Sequence, residues 1–159
     1  MSQKYTLVHF FEEQPMSHNF SAREWPLHTT LLDMFTVGSD TDVLQHSLQE
    51  IAATTRSLTT KAVSETLFGQ NKDVAVTLLS INPGIIELHK RLVGLAEETL
   101  IQFDHPEYVA DGFIPHASIR DDSKLELGKT YRISNISLVD MYPNNDINRR
   151  AIIKTYQFL

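Results

Sequence analysis

The stretch Pro26-Leu27-His28-Thr29-Thr30-Leu31 is matched far downstream by Pro115-His116-Ala117-Ser118-Ile119. Each contains a histidine, one intervening residue, a Ser or Thr, and then an aliphatic residue, and each lies in an apolar run typical of a β-strand. Side chains alternate between the two faces of a strand, so His28 and Thr30 share one face, and His116 and Ser118 share a face of their own strand. The sequence therefore predicts two equivalent strands, each presenting an imidazole beside a hydroxyl.

Short motifs of this kind also arise by coincidence. With seven His and 26 Ser plus Thr in the chain, about one such match is expected by chance. The context strengthens these two matches, because each follows a proline by one or two positions and each occupies the same place in its half of the chain. The other five histidines have no Ser or Thr at that spacing. An α+β protein whose two motifs are coincidental is the plainest alternative.

The two motifs resemble the signature of the two-histidine phosphoesterases of the 2′-5′ RNA ligase and cyclic phosphodiesterase type, which carry one H-x-T/S motif in each pseudo-symmetric half. The matching residues are His28-Thr29-Thr30 and His116-Ala117-Ser118, and the resemblance extends from about Tyr5 to Leu159. It implies two lobes, each an antiparallel sheet with an outer helix, and both motif strands lining a central cleft. It further implies a substrate that is a nucleotide or RNA terminus carrying a cyclic phosphate or a 2′-5′ linkage.

Hydrophobic periodicity agrees with that fold class. Several predicted strands are joined by short turns, which require antiparallel pairing, so we expect an α+β fold in one two-lobed domain over residues 1–159. Apolar residues at helical spacing predict two helices, and a long loop is expected over 12–26. The predicted strands are 5–11, 27–37, 57–68, 74–81, 113–120, 131–142 and 149–158, and the predicted helices are 41–55 and 83–101.

Composition limits the classes of partner and compartment. The net charge of −6 disfavours an extended nucleic-acid surface, so a substrate phosphate needs a local cation. Arg120, which follows the second motif, is one candidate, and the pair Arg149-Arg150 is another; ordinary solvated arginines are the alternative for both. The chain has no Cys, which suits a reducing cytoplasm, and no run of transmembrane length, so no membrane partner is expected.

The residue types favour acid–base catalysis without a metal or another cofactor. Histidine can act as base in one copy and as acid in the other near neutral pH, which predicts a rate maximum between two apparent pKa values near neutrality. Thr30 and Ser118 would donate hydrogen bonds to the phosphate oxygens. Which histidine takes which role is open. Trp25 could stack on a base, although a place in the core is the stronger expectation.

Two other functions use the same residues. A metal site at His28 and His116 is disfavoured, because no nearby Asp or Glu shares their strand face and the spacings typical of ligand pairs are absent. A binding module for a nucleotide or RNA end is disfavoured because Arg or Lys would serve phosphate recognition better than histidine does. The physiological substrate and the oligomeric state are open.

Overall fold

The computed structural model describes residues 3–121 and 123–159. Its strands are β1 Lys4–Phe10, β2 Asn19–Ser21, β3 His28–Val37, β4 Leu58–Phe68, β5 Val74–Leu79, β6 Ile101–Phe103, β7 His116–Ser118, β8 Thr130–Ile133, β9 Asn135–Asp140 and β10 Arg149–Gln157. Its α-helices are α1 Thr41–Ala53, α2 Pro83–Val93 and α3 Leu95–Thr99.

The strands form two antiparallel sheets. The larger has the order β2-β10-β9-β1-β3-β6, and the smaller has the order β7-β5-β4-β8. The first motif lies on β3 in the larger sheet, and the second lies on β7 at one edge of the smaller sheet. The α+β class, with antiparallel sheets and two lobes, is thereby confirmed.

The helices cover one face of the larger sheet and bury most of the core. Leu44, Leu48 and Ala52 recur at intervals of four residues along α1, which places them on one side of the helix. They are fully buried against Leu138 and Tyr156 of the sheet. Within the described residues, no helix is both long enough and apolar enough to cross a bilayer.

Two predicted elements are divided in the structure. The prediction of one strand over 131–142 is wrong: β8 ends at Ile133, where it pairs with Leu58, and β9 begins at Asn135, where it pairs with Gln157. The same β-prone segment therefore contributes one strand to each sheet, and the change from one sheet to the other occurs at Ser134. The helix predicted over 83–101 ends at Val93, and after the short α3 the backbone at Leu100 is left-handed, with φ 54°.

Two further predictions missed short pairings. The segment 12–26 contains β2, which pairs with the outer edge of β10, so it is not loop throughout. The second motif strand is only His116–Ser118 instead of 113–120. Pro115 lacks the N–H that would extend the ladder at one end, and at the other end Arg120 pairs with Ser123 in a turn. Both strands are three residues long, too short for a periodic pattern to predict.

Extra residues in β3 determine which of its side chains reach the second motif. Val8 pairs with Thr30, but its neighbour Leu7 pairs with Leu32, so β3 holds one residue more than β1 across this step, as in a β-bulge. Both leucines that follow Thr30 pack into the helix-side core. Asp33 consequently returns to the face that carries Thr30.

Candidate active site

The two motif strands lie side by side and are joined by a hydrogen bond. The hydroxyl of Thr29, which is fully buried, donates to the main-chain carbonyl of His116 over 2.7 Å. On its other side β7 pairs with β5, with Leu78 opposite His116. The second histidine is therefore held between both sheets.

Both imidazoles are anchored in the same way. Nδ1 of His28 lies 2.8 Å from the carbonyl oxygen of Pro26, and Nδ1 of His116 lies 2.7 Å from that of Ile114. A carbonyl only accepts hydrogen bonds, so each Nδ1 carries the proton. In the neutral ring this leaves the lone pair on Nε2, which is the atom that can take up or release a proton.

The surroundings of His28 favour its neutral form. Its pKa is lowered to about 4, mainly by burial and further by the positive charges of Arg120 and His116, while the Pro26 carbonyl partly offsets these effects. The aromatic ring of Trp25 lies 4.5 Å from the imidazole, centroid to centroid. His28 is therefore uncharged at neutral pH, with Nε2 available as a base.

Trp25 and Arg120 take up different positions around the first motif. Trp25 is half-buried between His28 and the rings of Phe10 and Phe20, so it forms part of a hydrophobic cluster and also shields the imidazole. Arg120 is exposed, and its Nη1 donates to the Arg23 carbonyl over 3.2 Å. That contact brings the guanidinium across from the second motif to the segment that precedes His28.

A cavity of about 590 Å³ opens beside the motifs, with Thr30 and His116 in its wall. This volume lies within the range of small-molecule sites, roughly 300–1,000 Å³. The ring of Phe68 meets the His116 imidazole edge to face, with the centroids 4.8 Å apart. Ser118 is half-buried on the same strand, opposite Val76, which also lines the cavity.

Asp33 is a cavity residue that the sequence patterns did not reveal. Strict alternation from Thr30 would place Leu32 on the cavity face, but the bulge places Asp33 there instead. The prediction that no Asp or Glu shares the motif face is therefore wrong. Across residues 3–121 and 123–159, however, no three or more His, Asp or Glu side chains are grouped so that they could hold a metal ion.

Comparison with solved structures identifies the architecture. The chain is similar to TT0787 of Thermus thermophilus, with TM-score 0.62 and 14% identity over 98% of this chain and 97% of that one. It is also similar to Escherichia coli LigT complexed with phosphate, with TM-score 0.60 and 16% identity over 99% and 98%, and to LigT complexed with 3′-AMP, with TM-score 0.58 and 14% identity over 99% of each chain. The chain has the LigT fold.

The resemblance inferred from the two motifs is thus confirmed at the level of the fold, over nearly the whole chain. No protein-family model matches the sequence, and no curated protein matches it. At 14–16% identity the likeness to LigT establishes the architecture alone.

In this version of the LigT fold a buried histidine holds one wall of the cavity. His89 has Nδ1 2.9 Å from the Leu31 carbonyl and Nε2 2.9 Å from the main-chain nitrogen of Ala110, and its ring stacks on Phe113 at 3.9 Å. Since Nδ1 donates and Nε2 accepts, the ring is neutral. Burial lowers its pKa, with partial compensation from the Leu31 carbonyl.

The other candidate cations have structural partners. Nη1 of Arg150 donates to the carbonyls of Met141, Ile147 and Arg149 at 2.8–2.9 Å. Nε of Arg149 donates to Asn19 over 3.2 Å. These contacts hold the turn before β10 and the edge strand β2 in place, so Arg149 and Arg150 have structural roles in the larger sheet. Of the three candidate arginines, Arg120 lies beside the motifs.

Proposed function

We propose that this protein is a metal-independent phosphoesterase that hydrolyses a cyclic phosphodiester, or acts on a 2′-5′ linkage, of a nucleotide or RNA end. The observation that supports this most strongly is the matched anchoring of two neighbouring histidines, each with Nδ1 bonded to the carbonyl two residues earlier. Structures of LigT with phosphate and with 3′-AMP support a nucleotide phosphate as the ligand.

The lowered pKa of His28 suggests the roles of the two histidines. His28, held neutral, takes a proton through Nε2 from a water molecule whose oxygen attacks phosphorus. The bond from phosphorus to one ribose oxygen breaks, and protonated His116 gives its Nε2 proton to that oxygen. The products are a phosphomonoester and a free ribose hydroxyl, and the exchanged protons regenerate the starting forms through solvent.

The remaining site residues stabilise charge. Thr30 and Ser118 donate hydrogen bonds to the non-bridging oxygens, and Arg120 supplies the local cation that a chain of net charge −6 needs. Trp25 keeps water away from His28 and so maintains its neutral form. This replaces base stacking as the role that its contacts favour.

The low pKa of His28 changes the pH dependence expected from the sequence. In the free enzyme the acid-side limb of kcat/KM should lie near the value of about 4 instead of near neutrality, since it reports the unliganded base. A bound phosphate places negative charge beside the imidazole and raises its pKa. The acid-side limb of kcat should therefore lie at higher pH than that of kcat/KM.

The test is turnover of nucleoside 2′,3′-cyclic phosphates and 2′-5′ linked dinucleotides in the presence of excess chelator. We expect hydrolysis of the cyclic phosphates to a monoester at a rate that the chelator does not change. Loss of activity in chelator, restored by added metal, would contradict the proposal. Nucleotide binding without turnover would favour a binding module instead.

We also propose that the protein acts in the cytoplasm, because the chain has no Cys and so suits a reducing compartment.

A further inference from the structure

The cavity beside the motifs has a larger apolar surface than a bound phosphate alone would contact. Beyond Thr30 and His116 its lining is mostly aromatic and aliphatic, from Phe68, Val74, Val76, Tyr108, Phe113 and Ile114. Phosphate bound at the two histidines would leave most of the volume of about 590 Å³ unfilled. Flat π-faces and aliphatic walls of this kind suit a planar heteroaromatic ring.

Asp33 lies in this apolar wall, and one oxygen of its carboxyl group has no hydrogen-bond partner in the described part of the chain. Its Oδ2 atom is buried and accepts no hydrogen bond from residues 3–121 or 123–159. Leaving a buried carboxylate oxygen unpaired is costly, and desolvation by burial accordingly raises the pKa of Asp33. A ligand that donates hydrogen bonds would remove this cost on binding.

We propose that the cavity binds the base of the nucleotide substrate and selects guanine through Asp33. This inference rests on the proposed function, in that the phosphate of the same nucleotide lies at His28 and His116. Thr30 and Asp33 follow one another along the wall formed by β3, so the phosphate and the base occupy neighbouring parts of one site.

The hydrogen-bonding edges of the four bases explain the selection. Guanine presents two adjacent donors, the N1–H and the exocyclic amino group, and both oxygens of one carboxylate can accept from them. Adenine and cytosine each present an amino donor next to a ring nitrogen whose lone pair would face a carboxylate oxygen. Uracil presents a single N–H between two carbonyls. Guanine is therefore the base whose donors match a carboxylate without repulsion, and so the base that supplies a partner to the unsatisfied oxygen of Asp33.

The aromatic walls are already held in place for a flat ring. Phe113 is stacked on His89, which is itself bonded at both ring nitrogens. Phe68 is packed against His116 on the side nearer the phosphate. A site whose walls are fixed before binding loses little conformational freedom when the base enters.

The test measures two quantities for wild type and for Asp33→Asn: kcat/KM for the four nucleoside 2′,3′-cyclic phosphates, and calorimetric affinity for the four nucleoside 3′-monophosphates. Wild type should favour the guanosine ligands by ~10²-fold or more, as expected when a buried polar group is otherwise left unpaired. Asp33→Asn should reduce the values for guanosine and leave those for uridine and cytidine near wild type. Asp111→Asn removes an exposed carboxylate from the neighbouring loop and should change none of them.

The two readouts separate this inference from the proposed function. Guanosine-selective binding without turnover of any cyclic phosphate would support the guanine site and contradict the phosphoesterase. Turnover of all four substrates at equal kcat/KM would overturn the guanine site alone. An equal fall for all four bases in Asp33→Asn would also overturn it, because Asp33 would then act on His116. A wild-type preference for adenosine, or no nucleotide binding, would overturn it too, and neither result depends on the variant folding.

Discussion

The hydroxyl of Thr29 donates to the carbonyl of His116 across 2.7 Å, which couples the first motif strand to the second. Thr29→Val keeps the shape and removes the donor, leaving a carbonyl without its partner at a cost of about 1–3 kcal/mol. We expect a lower free energy of unfolding in urea and a lower kcat at temperatures where the variant is fully folded. Thr29→Ser should restore both.

The matched variant Thr30→Val tests the neighbouring hydroxyl, which faces the cavity. It should leave the free energy of unfolding nearly unchanged, because Thr30 is half-buried. It should lower kcat by ~10²- to 10³-fold, as is typical when one preorganised donor is lost. Wild-type kcat in Thr30→Val would show that this hydroxyl does not contact the phosphate.

The shielding role of Trp25 predicts a change in the titration of His28. Trp25→Ala admits water to the imidazole, so the desolvation that lowers its pKa should weaken. The pKa of His28 should rise from about 4 toward the ordinary value of 6.5, which NMR of the His28 ring protons would measure. The acid-side limb of the kcat/KM profile should shift to higher pH by a similar amount. An unchanged titration would mean that Trp25 does not control the hydration of His28.

The buried His89 predicts a loss of stability in acid. Its folded-state pKa is lowered from 6.5, first by burial. Its contribution to stability is therefore fully present above pH 6.5 and is lost as pH falls through the lower, folded-state pKa. His89→Gln can still donate to Leu31 and accept from Ala110, yet it does not titrate. Its midpoint of thermal unfolding should therefore fall less steeply than that of wild type between pH 6.5 and pH 4, and parallel curves would contradict this account of His89.

Tyr156 offers a test of packing away from the site. It is 2% exposed, and its hydroxyl lacks a partner among the described residues; burial raises its pKa to about 12. Tyr156→Phe removes an unsatisfied polar atom and keeps the ring, so the free energy of unfolding should be unchanged or higher by up to about 1 kcal/mol. A loss of more than that in urea denaturation would reveal a hydrogen bond of this hydroxyl.

The sequence predicted those parts of the fold that follow from local periodicity. The two motif strands, the apolar stripe of α1 and the antiparallel connections could all be inferred because side-chain alternation and helical spacing are local properties. The change of sheet at Ser134 and the pairing of Asn19–Ser21 with β10 could not, because they depend on partners that are distant in the chain.

The same distinction holds within the site. His28 and His116 were identified by their motifs, but the lowered pKa of His28 was not. It arises from burial, to which the Trp25 ring contributes, and from the charges of Arg120 and His116, which are distant in the chain. Asp33 was missed because two extra residues in β3 interrupt the alternation on which the prediction relied. Phe68 at the end of β4 and Phe113 in the segment before β7 meet at the cavity, because of tertiary packing that no local pattern specifies.

In the proposed mechanism His28 and His116 work as one acid–base pair. The most direct measurement is kcat/KM for a nucleoside 2′,3′-cyclic phosphate, in chelator, for wild type, His28→Ala, His116→Ala and the double variant. Each single variant should lose ~10²- to 10⁴-fold, and the double variant should be little worse than either, because groups that act together are strongly non-additive. If the losses of the single variants multiply in the double variant, or if either single variant keeps wild-type kcat/KM, the two histidines do not form a catalytic pair.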